Sequence, residues 1–307
     1  MTVVVGADGV VGSEIASALG ASRVVFRTPL PPEVSIDAAD ELLRGASVVV
    51  NASGFRVRPG LTESDYRRSH AGAVGRLVPR LSKGTLLIQI SSASVLGKGS
   101  RGARDAREAE RPESFGCPSY ALAKLEAEER AREAAASAGL RLAILRPAIL
   151  YGSKPDGMVG TLLSLAARGV LLRLVPSSHR HHLCSFPLLL EAVRSIVRTG
   201  ATGVDPLALA DPFVLTSDDL AATLASIHPP RVAIPFPAAL AGSVLRRFPR
   251  ARSPRLDLRT WGEILSILAI DTVYDTSGTY RLLGIDPARF SRSRTWERLV
   301  RGLEAEA

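Results

Sequence analysis

The stretch TVVVGADGVVG, residues 2–12, decides the fold. Its continuous valine run is typical of a strand buried on both faces of a parallel sheet. Gly6, Gly9 and Gly12 follow that strand directly, and the segment after them, up to Gly20, predicts a helix. Glycines at such a junction permit a tight turn, close approach of a pyrophosphate to the backbone, and close packing of the helix on the strand. The stretch predicts a dinucleotide-binding βα unit with the phosphates at the helix N-terminus, the alternative being an ordinary strand-to-helix turn.

Apolar β-branched runs alternate with helical patterns through the first half of the chain. Buried strands are predicted at residues 2–7, 23–27, 46–54, 85–94 and 140–152, and helices at residues 13–20 and 119–140. Alternating strands and helices pair in parallel through right-handed crossovers. We therefore expect an α/β fold, a doubly wound parallel sheet of the Rossmann type.

Beyond residue 152 the amino-acid composition changes, since proline and glycine become frequent. Shorter helices are predicted at residues 158–169, 185–200, 216–227 and 294–306. We interpret residues 1–152 as the dinucleotide-binding domain and residues 153–307 as a smaller, mostly helical substrate-binding domain. A segment near residues 182–215 is expected to return to the first domain.

The composition of the 307 residues excludes several classes of protein. With 46% hydrophobic and 22% charged residues, the chain is typical of a globular protein rather than a disordered or fibrous one. No uncharged apolar stretch of ~18 residues is present, so neither a bilayer span nor a membrane partner is predicted. The N-terminus lacks the pattern of a signal peptide. Two cysteines are too few for a disulfide framework or a structural zinc site, so we expect a reducing compartment, the cytoplasm.

A formal net charge of +9 raises the question of nucleic-acid binding. The basic run at residues 246–255 contains no acid, but no nucleic-acid-binding motif accompanies it, so no nucleic-acid partner is predicted. A cleft for a small phosphorylated ligand, or an arginine-biased surface, fits the charge as well. The tract at residues 179–182 holds three histidines without a carboxylate or cysteine to complete a ligand set, so no metal site is predicted.

Tyr120 and Lys124 lie four residues apart on a predicted helix and therefore on one face of it. A phenol has a pKa of about 10 and acts as an acid–base at neutral pH only when its anion is stabilised. A lysine ammonium one turn away, with an oxidised nicotinamide, supplies that stabilisation. Ser92 ends a predicted strand, where hydroxyls point into the ligand crevice of doubly wound sheets. Ser92, Tyr120 and Lys124 are thus the candidate catalytic residues, although an exposed helix face is the commoner origin of such a spacing.

The residue about 20 positions beyond a glycine loop selects the cofactor, an acid for NAD and a cation for the 2′-phosphate of NADP. The second predicted strand ends at Arg27, and no acid follows it. This arginine favours NADP(H) over NAD(H), with a plain surface arginine as the alternative.

Together these motifs resemble the extended short-chain dehydrogenases/reductases, in the NAD-dependent epimerase/dehydratase branch. The matching segments, in family order, are GADGVVG, VVVNASG, ISSASVLGKG, PSYALAKLEAEE, LRPAILYG and YRLLGIDP. The resemblance implies that Tyr120 is the acid–base, Lys124 its electrostatic partner and a ribose contact, and Ser92 a substrate-binding hydroxyl. The cofactor contacts that it implies elsewhere lie at Gly6, Gly9, Val11, Gly12, Ala52, Ser53 and Pro147.

Departures from the family pattern bear on the reaction. Relatives that dehydrate sugars resemble one another in an Asp-Glu pair directly after the active-site hydroxyl, and Ala93 and Ser94 occupy those places here. We therefore expect no dehydration, and take Ser94 as a candidate substrate contact. His70 stands where asparagine is frequent, and Leu188 where an acid is often found.

The leading prediction is an NADP(H)-dependent reduction of a keto group on a nucleotide-activated sugar. Arginines of the second domain, such as Arg173 or Arg180, would hold the diphosphate by bidentate contacts, and Arg180 is the candidate substrate residue. Two alternatives stay open, a nucleotide-sugar epimerase that retains NAD and a non-catalytic NADP(H)-binding regulatory protein. The resemblance also suggests a homodimer through the helix that carries Tyr120.

Overall fold

The computed structural model describes residues 1–26, 34–97, 112–152, 157–203, 205–249 and 257–297. The strands within these ranges are β1 Thr2–Val5, β2 Ser22–Val25, β3 Val34–Ser35, β4 Val48–Asn51, β5 Leu86–Ile90, β6 Arg141–Pro147, β7 Ile149–Tyr151, β8 Val170–Leu174, β9 Arg180–His181, β10 Leu183–Ser185, β11 Leu207–Leu209, β12 Leu215–Thr216 and β13 Val232–Phe236. The α-helices are α1 Val10–Leu19, α2 Asp40–Arg44, α3 Glu63–Ser69, α4 Ala71–Leu77, α5 Pro118–Ala138, α6 Gly157–Ala167, α7 Phe186–Thr199, α8 Ser217–Ile227, α9 Ala238–Leu245, α10 Leu258–Leu268 and α11 Ser277–Leu283.

Seven of the described strands form one sheet in the order β11-β6-β5-β4-β1-β2-β3. All of its pairings are parallel. The strand order reverses between β1 and β4, which is the crevice where doubly wound sheets bind ligands. The predicted doubly wound fold is confirmed. Strands β3 and β11 were not predicted, since two or three residues are too few for a periodic pattern.

Two apolar cores flank this sheet. Val4 of β1 points into the core beneath α1, α7 and α11, whereas Val3 and Val5 point into the core beneath α2, α4 and α5. Successive side chains of a strand face opposite sides of the sheet, so a strand buried on both faces needs an unbroken apolar run. The valine run of β1 meets that requirement.

The chain after residue 152 contributes to the large sheet region and also forms a separate region of its own. Helix α7 and strand β11 pack on the first of these cores. Leu283 and Ile285, at the end of α11, pack on the same core, although the predicted boundaries assigned them to the second domain. We propose that the dinucleotide-binding unit comprises residues 1–152 together with these returning segments. A third apolar core lies among α6, α8 and the buried Trp296, and we propose that it belongs to a smaller, mostly helical unit. Of the helix predicted at residues 294–306, the structure describes only a π-helical turn over Ser293–Glu297, and the rest lies outside the described residues.

Helices α9 and α10 of this smaller region lie in backbone contact. A Cβ atom on Gly242 would stand 3.0 Å from the Gly262 carbonyl oxygen, and a Cβ on Gly262 would stand 2.7 Å from the Arg246 nitrogen. Small residues at a crossing permit such an approach. Across the part of the chain that is described, none of the helices has both the length and the apolar character needed to cross a bilayer.

The packing of α1 on the glycine turn generates a stability prediction. A Cβ atom on Gly12 would collide with the carbonyl oxygen of Gly6, a backbone atom that has no side-chain freedom to move away. We expect Gly12→Ala to lower the free energy of unfolding by about 1–3 kcal/mol in a urea titration. Gly278→Ala is the matched control, because a Cβ on Gly278 meets nothing within 4 Å. Equal effects of the two substitutions would contradict this account of the turn.

Candidate active site

The carboxyl ends of β1, β4, β5 and β6 lie side by side at one edge of the sheet. The register pairs Val5 with Asn51 and Asn51 with Gln89, and the Ser91 N–H donates to the Leu145 carbonyl at 2.7 Å. Each of these strands is followed by residues that the sequence singles out, in order Gly6, Ala52 and Ser53, Ser92, and Pro147 at the last position of β6. The fold therefore collects the predicted residues of four separate segments at one edge.

The glycine turn leaves room above the N-terminus of α1. Gly6 has φ +79°, and a Cβ there would lie 2.6 Å from the backbone of Ser53, so only glycine fits the turn against β4. Gly9 precedes α1, and a Cβ there would find only the Gly6 carbonyl oxygen, at 3.5 Å. No side chain of the described residues caps α1, and its first turn contains no acid. Free N–H groups at the positive end of a helix suit a pyrophosphate, so these residues fit a dinucleotide.

The neighbouring end of β4 is fixed by buried polar side chains. The Asn51 amide donates to Gln89 Oε1 at 2.8 Å, and the Ser53 N–H donates to Asn51 Oδ1 at 3.2 Å. Ala52 is half-buried and Val11 packs on the first core from α1. Asn51 and Gln89 were missed in the sequence analysis, although Asn51 belongs to the VVVNASG motif. They hold the β4 turn in place beside Gly6.

Arg27, on which the cofactor prediction depends, lies outside the described residues. The preference for NADP(H) therefore stays a prediction from the sequence.

Ser92, Tyr120 and Lys124 are brought together at the end of β5. Ser92 begins a 3-10 turn over residues 93–96, and its Oγ accepts a hydrogen bond from the Ser94 N–H at 3.2 Å. The Ser92 side chain also hydrogen-bonds the Tyr120 side chain. Lys124 is buried; its Nζ donates to the Ile90 carbonyl at 3.1 Å and lies 6.0 Å from the centre of the Tyr120 ring. The cluster can present two hydroxyls to one substrate oxygen.

Burial dominates the protonation of this cluster. It raises the pKa of Tyr120 to about 12, although the hydrogen bond from Ser92 acts in the opposite direction. Burial lowers the pKa of Lys124 to about 8. The carboxylate of Glu128 acts in the opposite direction, because it favours the ammonium form. The expectation that Lys124 makes the phenol acidic stays a prediction, because in the protein alone burial raises the pKa of Tyr120 more than the hydrogen bond from Ser92 lowers it.

Two aromatic side chains of the α3–α4 region complete the wall behind Tyr120. The ring of Tyr66 stands edge-on to the Tyr120 ring at 5.8 Å, and that of His70 at 5.5 Å. The buried His70 places Nε2 3.0 Å from the Phe55 carbonyl oxygen, and a Cβ on Gly54 would collide with its ring. Burial and the charge of Lys124 hold the pKa of His70 well below its usual range, so the ring is neutral. The imidazole stands at the position where the family resemblance implies an asparagine.

The face of α5 that carries Tyr120 and Lys124 continues to Glu128. This carboxylate and the Arg146 guanidinium of β6 are both fully buried and pair through two bonds, of 2.9 and 2.6 Å. Arg132 adds a third bond to Glu128 at 3.0 Å. The sequence analysis missed this pair, although the four-residue spacing from Tyr120 through Lys124 leads directly to Glu128.

The candidate substrate residues are found in different surroundings. Ser94 is buried, and its Oγ has no hydrogen-bond partner among the described residues. Arg180 lies on β9 and is engaged by Asp271, which accepts from the Arg180 N–H at 2.9 Å and lies 3.7 Å from its Nε. Arg173 is 59% exposed and lies 3.9 Å from Asp218. The role of Arg180 and Ser94 toward a substrate stays a prediction.

The histidine tract is tied into the protein interior. His181 Nε2 lies 3.2 Å from Ser217 Oγ, and His182 Nδ1 accepts from the Tyr274 N–H at 3.0 Å. Burial lowers the pKa of both rings to about 4, so both are neutral at physiological pH. Within the described ranges no group of three potential ligands surrounds a metal position.

Comparison with known proteins places this chain in a family. The sequence profile of the NAD-dependent epimerase/dehydratase family matches residues 2–178. No curated protein matches the chain significantly. Among solved structures, UDP-glucuronic acid 4-epimerase from Bacillus cereus with UDP-glucuronic acid and NAD is 18% identical and aligns over 100% of this chain and 98% of its own, with a TM-score of 0.73.

Two further structures have the same fold. The human epimerase family protein SDR39U1 with NADPH is 14% identical, aligns over 100% of both chains, and has a TM-score of 0.76. MoeE5 with UDP-glucose and NAD is 22% identical over 86% of this chain and 98% of its own, with a TM-score of 0.63. With the profile covering more than half of the sequence, the chain is an extended short-chain dehydrogenase/reductase enzyme and belongs to the NAD-dependent epimerase/dehydratase family.

Proposed function

We propose that this enzyme reduces a keto group of a nucleotide-activated sugar with NADPH. The observation that carries the proposal is the cluster of Ser92, Tyr120 and Lys124 at the carboxyl edge of the sheet, beside the open glycine turn. Structures of the same fold contain UDP-glucuronic acid or UDP-glucose, which supports a nucleotide-linked sugar as the substrate class. Arg27 supports NADP(H), and so does the human neighbour with NADPH, whereas other neighbours contain NAD.

The dinucleotide would be held by residues of three strand ends. Gly6, Gly9, Val11 and Gly12 would line its pyrophosphate at the N-terminus of α1, with Ala52 and Ser53 along its length and Pro147 near the nicotinamide. When bound, the nicotinamide supplies hydride to the substrate carbon or accepts it.

The residues of the cluster would then handle the oxygen and its proton. Ser92 and Tyr120 donate hydrogen bonds to the substrate carbonyl oxygen, which orients the carbonyl and polarises it. As negative charge develops on that oxygen, Tyr120 transfers its proton to it. The ammonium of Lys124 stabilises the phenolate that remains.

The protonation of the cluster supports reduction as the direction. With a pKa of about 12, Tyr120 holds its proton at neutral pH. Reduction requires this form, since the substrate oxygen must gain a proton. Oxidation, with which an epimerase begins its cycle, requires a phenolate. Ala93 and Ser94 offer no acid and base for elimination of water, which argues against dehydration.

Of the two alternatives, the epimerase has specific support and the regulatory protein does not. Similarity to a UDP-glucuronic acid 4-epimerase with bound NAD favours an epimerase that retains its cofactor. A regulatory protein that binds NADP(H) without turnover would need the glycine turn but not the Ser92–Tyr120–Lys124 cluster. For the compartment we propose the cytoplasm, supported by the buried thiols of Cys117 and Cys184, which are not joined in a disulfide. For the assembly we propose a homodimer through α5.

The catalytic assignment predicts the effect of removing one hydroxyl. Tyr120→Phe keeps the ring but removes the proton donor, so kcat for NADPH-dependent reduction of a UDP- or TDP-linked 4-keto sugar should fall by roughly 10²–10⁴. The matched control is Tyr66→Phe, because the Tyr66 hydroxyl accepts a hydrogen bond from the Arg58 N–H, at 3.4 Å, and has no role in the proposed reaction. It should retain most of the wild-type rate. Equal rates for wild type and Tyr120→Phe on every substrate would remove Tyr120 from the mechanism, and turnover of another carbonyl class alone would overturn the substrate.

The cofactor assignment predicts an exchangeable dinucleotide with a preference set by Arg27. Calorimetric titration should give tighter binding of NADPH than of NADH, by roughly tenfold or more, since a cation pairs with the 2′-phosphate. Arg27→Asp should reverse the preference. Purified protein whose native mass spectrum contains tightly held NAD would instead favour the epimerase.

The raised pKa of Tyr120 can be measured without substrate. At a pH of about 10.5 a free tyrosine is mostly ionised, but Tyr120 should still hold its proton. Ultraviolet difference spectra should therefore give the same tyrosinate absorbance for wild type and Tyr120→Phe in the absence of cofactor, with near-ultraviolet circular dichroism as the control for folding. A deficit of one tyrosinate in the variant would contradict the dominance of burial.

A further inference from the structure

The outer side of α9 is apolar and open to solvent. Leu240, Val244 and Phe248 are 64%, 47% and 44% exposed. They are four residues apart, so they form one stripe along α9 and the helical turn that follows it. Ala238 and Gly242, on the other side of the helix, are buried, the latter against α10.

Neighbouring elements also expose apolar side chains. Val232 and Ile234 of β13 are exposed and two residues apart, hence on one face of the strand, and β13 pairs with β8 along one edge. Trp261 of α10 is also exposed, and the next residue, Gly262, contacts the C-terminal end of α9. The α9–α10 apolar face is defined here as Val232, Ile234, Leu240, Val244, Phe248 and Trp261. Large apolar side chains grouped in this way mark interaction surfaces rather than ordinary protein surface.

Arginines flank the apolar residues of this face in the sequence. Residues 228–249 contain three arginines, Arg231, Arg246 and Arg247, and no aspartate or glutamate. Arg231, Arg246 and Arg247 are exposed, and no ion pair joins any of them to another described residue. A second copy of the chain docked on this face would bring two such arginine rims together, which like-charge repulsion disfavours. An occupant that is both apolar and anionic would match the apolar stripe and the exposed arginines together.

We propose that the α9–α10 apolar face docks on a lipid bilayer that contains anionic lipid. The aliphatic side chains and Phe248 would enter the boundary between headgroups and acyl chains, with Trp261 at the level of the headgroups. The arginines would pair with lipid phosphates. The sequence analysis predicted no membrane partner because it tested for spanning segments, and a peripheral face of this kind contains none.

Helix α10 links the docking face to the helix that carries Tyr120. Gly116, just before α5, packs so tightly on α10 that a Cβ there would lie 2.5 Å from Ile267. Ile267 and Tyr120 belong to one apolar cluster. Asp257 of the α10 N-terminus, fully buried, accepts a hydrogen bond from the Gly60 N–H at 2.9 Å. Docking through α9 and α10 would therefore bring the bilayer to within one packed helix of α5.

Co-sedimentation of the full chain with vesicles tests this proposal without any turnover, so it stands or falls independently of the proposed reaction. Wild type should bind vesicles of phosphatidylcholine and phosphatidylglycerol in equal parts, not phosphatidylcholine alone, and salt should weaken the binding. Leu240→Gln/Phe248→Gln and Arg246→Gln/Arg247→Gln should each weaken it roughly tenfold or more. Arg281→Gln/Leu282→Gln on the exposed side of α11 is the matched control and should bind as wild type does.

Three results would overturn the proposal, provided that thermal unfolding shows all variants to be folded. The first is no binding of wild type to the anionic vesicles. The second is binding that neither of the two α9 double variants weakens beyond the control. The third is a dimer in light scattering that Leu240→Gln/Phe248→Gln converts to a monomer, since a second copy would then be the occupant of the face.

Discussion

The buried ion pair of Glu128 and Arg146 is the interaction on which the geometry of the active site depends. Both side chains are withdrawn from water, and the two parallel bonds of the guanidinium fix the rotation and the height of α5 against β6. Removing one partner of such a pair costs about 3–5 kcal/mol, because the other charge is left buried and uncompensated. With α5 held in this way, Lys124 reaches the carbonyl of Ile90 and Tyr120 reaches Ser92. The candidate catalytic cluster is thus positioned by a contact one helical turn from Lys124 and two turns from Tyr120.

The same ion pair bears on the electrostatics of the cluster. Glu128 favours the ammonium form of Lys124 against the burial that lowers its pKa to about 8. The phenol of Tyr120, in turn, stays protonated because burial outweighs the hydrogen bond from Ser92. The protein alone therefore prepares a proton donor rather than a base. The positive ring of an oxidised nicotinamide would be needed to lower the pKa of Tyr120, which couples the proton transfer to the redox state of the cofactor.

Local sequence patterns predicted the features that depend on contacts between residues close in the chain. The valine run of β1 requires apolar neighbours on both faces, and the glycine spacing after it reflects backbone contacts of Gly6 and Gly12, so the fold class and the dinucleotide turn followed from a few residues. Glu128 was missed because a glutamate in a helix rich in glutamate and arginine has the pattern of a solvated face. Its burial comes from Arg146 on a distant strand. Arg180 is engaged by Asp271, 91 residues away, and the exposure of Leu240 depends on how α9 packs on α10. No local pattern contains these tertiary contacts.

The central claim is that Tyr120 and Lys124 face a nicotinamide at the carboxyl edge of the sheet. A crystal structure of the chain with NADP(H) tests it most directly. The account predicts the pyrophosphate over Gly9 at the N-terminus of α1, the nicotinamide ribose within hydrogen-bonding reach of Lys124 Nζ, and the nicotinamide ring opposite the phenol of Tyr120. A dinucleotide bound elsewhere, or bound with its nicotinamide turned away from Tyr120, would contradict it.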